Sequence, residues 1–240
     1  MRALRAQYLT ELRLASRQGE QLLVSLGIPL LVLTFFSTVD VVATGTERGV
    51  DYLAPAVLAL AVMSTAMVSL GIGTGFERAY GVLKRLGASP LGRPRWITAK
   101  ILMVVTIEIV QWCVLVAAAL LLGWSPSPQG WLAAIAGGLL GTAAFGGIGL
   151  LMAGTLPGLT TLAAANGLYL VLLLTGGMIV PLSELPAPMA TMARLLPAAP
   201  LTDIITGAML DRAIPPAAWV VLSVWALAAP LAAAATFRWE

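Results

Sequence analysis

The chain has 240 residues, of which 59% are hydrophobic and only 10% charged, far from the roughly one-quarter charged residues of a soluble domain, and the sequence reads as a membrane protein. A net charge of +3 is too small to point to nucleic acid as a partner. One cysteine, Cys113, excludes an intramolecular disulfide, and the absence of histidine excludes His-based triads, the usual zinc sites and imidazole proton relays.

Residues 1–21 place Leu4, Tyr8 and Leu12 four apart, with Arg2, Arg5, Arg13 and Arg17 mostly on other faces. That pattern fits a helix lying along the cytoplasmic membrane surface, and equally an ordinary basic leader that sets topology. No signal peptide is evident, because the first apolar run begins only near Leu22 and is long enough to span.

A bilayer core of about 30 Å requires about 20 apolar residues in a helix. Uncharged runs near that length occur at 22–43, 53–75, 98–122, 131–153, 159–180 and 217–236. Backbone amides in lipid must be satisfied within the segment, so all six are expected to be helical, including the β-branched stretch Val104, Val105, Thr106 and Ile107. The fold class is therefore all-α and polytopic, a single transmembrane domain over 1–240.

Orientation follows from Lys and Arg. Arg2, Arg5, Arg13 and Arg17, then Arg78, Lys84, Arg85, Arg93, Arg95 and Lys100, then Arg238, fall on one side; Arg48, Arg194 and Arg212 fall on the other. By the positive-inside rule both termini and the loop 77–97 are cytoplasmic. Trp96, Trp124, Trp131, Trp219 and Trp239 stand at the expected span ends, as an interfacial belt would place them.

Within the spans, Gly71 and Gly75, and likewise Gly137 and Gly141, sit four apart, a spacing that lets helices pack closely within the bundle or across a dimer. Cys113 is expected to be a small packed side chain. Intramembrane polar groups carry a functional hypothesis by default. Glu108, with Gln111 close by on the same helix, is suited either to proton coupling or to tying two helices together; Asn166 is expected to hydrogen-bond across helices. Asp40, near the outer end of the first span, can reach headgroups.

The loop 77–97 is more than a topology signal. Residues 77–86 carry Tyr80, Leu83 and Leu86 in helical rhythm, with Glu77 in the first turn and Lys84 and Arg85 in the last, complementing the helix dipole. Gly87 offers a cap, and Pro90 and Pro94 stop the helix, giving an exposed apolar ridge that calls for a partner. Residues 181–216 are too apolar for a solvated loop and too broken by proline to span, and are expected to dip back into the outer leaflet as two short helices.

The sequence contains no phosphate-binding loop, and neither the zinc-protease nor the serine-hydrolase motif occurs. An enzyme is not expected.

The run Glu77, Arg78, Gly81, Leu83, Lys84, Leu86, Ser89, Pro90, Leu91 resembles the cytoplasmic loop between the second and third spans of type-2 permeases of ATP-binding-cassette exporters, with Val82 in place of the usual Thr. In that family the loop forms a coupling helix that docks on a separate ATPase subunit. Pro181, Leu182, Glu184, Leu185 and Pro186 are similar to the family's P-L-x-x-L-P segment between the fifth and sixth spans, and the stretch from Pro197 through Pro200 to Asp203 to its return. There the family has a re-entrant pair that closes the outer side of the pathway.

The resemblance implies a dimer of six-span halves, the second a copy or a paralogue, in a bacterial inner membrane. It implies no cofactor on this chain, with ATP and Mg on the partner ATPase, and export along a cleft lined by the first, second and fifth spans. The 16 aromatics (7 Trp, 4 Tyr, 5 Phe) and few intramembrane polar groups favour a lipophilic cargo, a drug or lipid, over a long glycan. A proton-coupled secondary transporter using Glu108 and a non-transporting membrane scaffold are the rival readings.

Overall fold

The computed structural model describes residues 2–17, 19–38, 49–87 and 92–238. Among them there are helices and no strands. The chain runs α1 (Arg2–Arg17), α2 (Gly19–Thr38), α3 (Gly49–Met63), a π-helical segment (Ser64–Ser69), α4 (Leu70–Ala79), α5 (Val82–Gly87), α6 (Arg93–Leu121), α7 (Trp131–Thr155) and α8 (Gly158–Thr175). A 3-10 turn (Leu182–Glu184), α9 (Ala187–Ala193), α10 (Ala198–Met209) and α11 (Pro216–Thr236) complete it.

Five continuous helical runs are long and apolar enough to cross a membrane: Gly49–Ala79, Pro94–Leu121, Trp131–Thr155, Gly158–Thr175 and Pro216–Thr236. The first expected span corresponds to α2, whose apolar stretch is the shorter Ser25–Ser37; Asp40 and the end of that span lie outside the described residues. The run Gly49–Ala79 is the axis of the bundle, 89% buried along its apolar window, whereas the windows of Pro94–Leu121, Gly158–Thr175 and Pro216–Thr236 are only 28% buried. Helices that are apolar all round yet expose most of that surface require hydrocarbon outside them.

Small residues set the packing. A Cβ on Gly149 of α7 would lie 2.7 Å from the Met67 carbonyl of the π segment, and one on Gly71 of α4 would lie 3.0 Å from the Gly149 Cα. The backbones meet there because neither side has a side chain. α7 also lies tight against α11, where a Cβ on Gly147 would come within 2.4 Å of the Pro230 nitrogen. The four-apart glycines are thus used within the chain: Gly75 faces Thr161, Gly137 faces Ile204 and Gly141 faces Leu201.

Segment 181–216 forms a hairpin whose first arm, α9, is mostly exposed and whose second, α10, lies inside the bundle. Every residue of α10 except Asp203 is buried. Ala208 lies against Gly130, Ile204 against Gly137 and Leu201 against Gly141, so α10 runs antiparallel to α7. The turn between α9 and α10 is held midway along α11 by Trp225 Nε1 donating to the Leu195 carbonyl at 2.9 Å. At the mouth, Tyr52 Oη donates to the Gly177 carbonyl and Ser127 N to the Met209 carbonyl.

Two expectations are corrected. Trp96 and Trp124 do not sit in an interfacial belt; they are 1% and 3% exposed, Trp96 packing on Phe237 and Trp124 edge-on to Trp131. Cys113 is exposed rather than packed, because its position on α6 faces out of the bundle.

Candidate functional site

The expected helix over 77–86 is not continuous. α4 ends at Ala79, Tyr80 leaves helical geometry at ψ 7°, and Gly81 adopts a φ of 70°. That conformation is open to glycine and strained for other residues, so Gly81 turns the chain where sequence periodicity alone continues the helix. Glu77 and Arg78 therefore belong to the end of α4, and α5 is a separate six-residue helix. Pro90 lies outside the described residues.

Of the expected apolar ridge, only Tyr80 is exposed. Leu83 is fully buried against Trp96, with Leu86, Ile97 and Phe237 packed around them. Leu83 anchors α5 to the start of α6, and what α5 and its approach offer outward is Tyr80, Val82, Lys84 and Arg85. Tyr80 stacks on Phe76 of α4 at 6.1 Å between ring centroids, which steadies an otherwise exposed ring.

Arg78 is committed to the scaffold. Its guanidinium donates to the Ala153 carbonyl at 2.8 Å, in the last turn of α7, where a cation complements the helix dipole and satisfies a terminal carbonyl.

Beneath the break lies an ion triad that sequence reasoning missed. Lys100 Nζ sits 2.8 Å from Glu11 Oε2 and 2.5 Å from Glu77 Oε1, and also 5.7 Å from the centre of the Trp96 ring. Lys100 is 4% exposed and Glu11 3%. Buried charges require pairing, and one ammonium here serves two carboxylates from helices far apart in sequence. Gln7 Nε2 supplies a further donor to Glu11 at 2.7 Å.

The triad joins α1, α4 and α6, so α1 is docked on protein, with Tyr8 Oη and Thr106 Oγ1 2.8 Å apart farther along α6. Lys100 is thus an internal cation, not a loop charge. One signal existed: Tyr8, Glu11, Leu12 and Ala15 share one helical face, and a glutamate on an otherwise apolar stripe requires a buried partner. A cavity of about 340 Å³ lies beside the triad, bounded by Leu14, Phe76, Glu77, Tyr80, Val82 and Lys100 among others.

The intramembrane polar residues divide three ways. Gln111 ties three elements: Thr65 Oγ1 donates to its Oε1 at 2.7 Å, and its Nε2 donates to Ser25 Oγ at 3.2 Å. Thr65 lies in the π segment, where a widened turn frees backbone and side-chain groups from regular pairing. Glu108 ties α6 to α7, accepting from Thr142 Oγ1 at 2.7 Å. Asn166 ties nothing across helices; it is exposed and donates to the Leu162 carbonyl of its own helix at 2.9 Å, because its position on α8 faces away from the bundle.

Of the residues expected to form an outer gate, Pro181, Pro197 and Pro200 are buried, Leu182 and Leu185 are half-buried, and Glu184 and Pro186 are exposed. They lie along the hairpin rather than in one cluster. The arrangement holds two structured ends, the α5 junction and the hairpin, joined by the axial run Gly49–Ala79.

A family model described as ABC-2 type transporter matches residues 3–210, from α1 through α10. No curated protein matches the chain.

Proposed function

This chain belongs to the ABC-2 type transporter family, and on that premise we propose that it is the membrane-spanning subunit of an ATP-driven exporter. Its partner is an ATP-binding-cassette ATPase that docks on the surface made by Tyr80, Val82, Lys84 and Arg85, on the cytoplasmic side. ATP and Mg belong to that partner, since this sequence has no phosphate-binding loop.

The observation that carries the reading is how α5 is mounted. Gly81 sets it at an angle to α4, Leu83 pins it to Trp96, and the triad Glu11, Lys100 and Glu77 locks its root to α1, α4 and α6. A push on such a handle moves three helices at once rather than bending a loop. Its motion passes into the axial run, whose π segment and close glycine contact with α7 are the places where a small rotation repacks.

At the far end the hairpin of α9 and α10 serves as an outer, re-entrant gate, with both termini in the cytoplasm of a bacterial inner membrane. Asn166 on the exposed face of α8 supports a second copy or a paralogue as the other half, because a side-chain amide facing hydrocarbon is costly and a neighbouring helix would cover it. The apolar, little-charged walls favour a lipophilic cargo, a drug or a lipid.

The test is coupled turnover. In a reconstituted complex with its ATPase, Lys84→Glu with Arg85→Glu should abolish cargo-stimulated ATP hydrolysis while the permease keeps its melting temperature. Unchanged stimulation removes the docking assignment, and cargo movement by the purified chain alone removes the ATP-driven reading.

A further inference from the structure

α6 and α7 diverge around a groove of about 440 Å³, a volume typical of small-molecule sites. Glu108, Ile109 and Trp112 of α6 form one wall, spaced as a helical stripe, and Trp131, Ile135 and Leu139 of α7 form the other, over Val62 of α3. Ile109, Ile135 and Leu139 are exposed, so the groove opens on the perimeter of the bundle.

At its base is a single carboxyl, that of Glu108, 7% exposed. Thr142 donates to Oε2, while Oε1 is buried with no hydrogen-bond partner among the described residues. An acceptor left in that state costs free energy that a donor from a ligand would recover. The N–H of Trp112 is already committed to the Leu58 carbonyl at 3.2 Å, so the indole offers the groove its ring rather than its donor.

Depth selects the ligand. Glu108 is near the middle of the 29-residue helix α6, about 20 Å from either end. Lipid headgroups do not reach that level, and among the described residues no Lys or Arg lines the groove to receive a phosphate. A ligand entering there comes from the hydrocarbon and carries one polar group.

We propose that this groove binds a lipophilic amine, its alkyl or aryl body along the wall between Trp112 and Trp131 and its nitrogen donating to Glu108 Oε1. An ammonium paired with the carboxylate enters the hydrocarbon as a neutral pair. The site is a property of this chain alone, so its failure leaves the ATPase docking untouched.

The probe is dodecylamine carrying a photoactivatable diazirine, added to the full chain in phosphatidylcholine nanodiscs, with labelled peptides mapped by mass spectrometry. Labelling is expected within 105–116 and 131–139, displaced by dodecylamine at concentrations about tenfold or more below those needed for dodecanol, the margin of one hydrogen bond to a charged group. Glu108→Gln should erase that margin.

Equal displacement by amine and alcohol would reduce the groove to an unspecific apolar surface and overturn the proposal. Labelling elsewhere would overturn it too, as would displacement by dodecylphosphoethanolamine as effective as that by dodecylamine. The amine-to-alcohol comparison on the unsubstituted chain decides the matter even if Glu108→Gln does not fold.

Discussion

Lys100 and Glu11, 89 positions apart, share a buried ion pair with Nζ and Oε2 at 2.8 Å, and through it the amphipathic N-terminal helix α1 is fastened to α6. Glu77, from the end of α4, completes the junction. Removing the cation leaves two carboxylates in a buried site. Lys100→Met is expected to destabilise the chain by about 3–5 kcal/mol, seen as a lower thermal midpoint in detergent. Combining it with Glu11→Gln and Glu77→Gln should recover most of that loss, because no uncompensated charge then remains.

The crossing of α4 and α7 depends on missing side chains. Gly149→Ala would set a methyl 2.7 Å from the Met67 carbonyl, forcing the helices apart at a cost of about 1–3 kcal/mol. Gly73→Ala, two residues along α4 from Gly71, meets nothing within 4 Å and should be neutral or slightly stabilising. Thermal melts of the two variants side by side separate packing from any general effect of removing glycine.

Gly81 is held by conformation rather than by space. Its φ is 70°, and a methyl added there would meet nothing within 4 Å among the described residues, so Gly81→Ala should cost about 1–2 kcal/mol through backbone strain. A chain that melts unchanged would mean that the break between α4 and α5 tolerates a regular helical turn.

Leu83 and Lys84 should separate in their effects although they are adjacent. Leu83 is buried on Trp96, so Leu83→Ala should lower the thermal midpoint, with a loss of about 2–5 kcal/mol. Lys84 is exposed, and Lys84→Ala should leave the midpoint within about 0.5 kcal/mol of the parent. Only a readout with the ATPase present should report on Lys84.

The long apolar helices were legible because hydrocarbon leaves the backbone one solution, and five of the expected spans match helical runs within a few residues at most ends. The apolar, proline-broken character of 181–216 likewise pointed to short helices packed on protein. What escaped was whatever depends on contacts between distant segments. Leu83 has the same helical rhythm whether it faces a partner or Trp96, and rhythm alone made it look like an exposed ridge.

Lys100 counted as a topology charge because nothing near it in sequence announces Glu11. The chemistry of Asn166 and Cys113 favours an inward position, whereas the face a helix turns outward is set by its neighbours. Gly81 was visible as a residue, but a single glycine in a helical rhythm does not say whether the chain will use its freedom.

The central claim, that Tyr80, Val82, Lys84 and Arg85 form the surface gripped by an ATPase, is tested most directly by cross-linking from that surface. With Cys113→Ser as background, a cysteine at Lys84 and a short bifunctional thiol-to-amine reagent should, in native membranes, yield a product containing an ATP-binding-cassette ATPase. Its yield should change when ATP is added. A cysteine at Asn166 should give no such product. If Lys84 yields only lipid or a second copy of this chain, or if Asn166 captures the ATPase equally well, the account is contradicted.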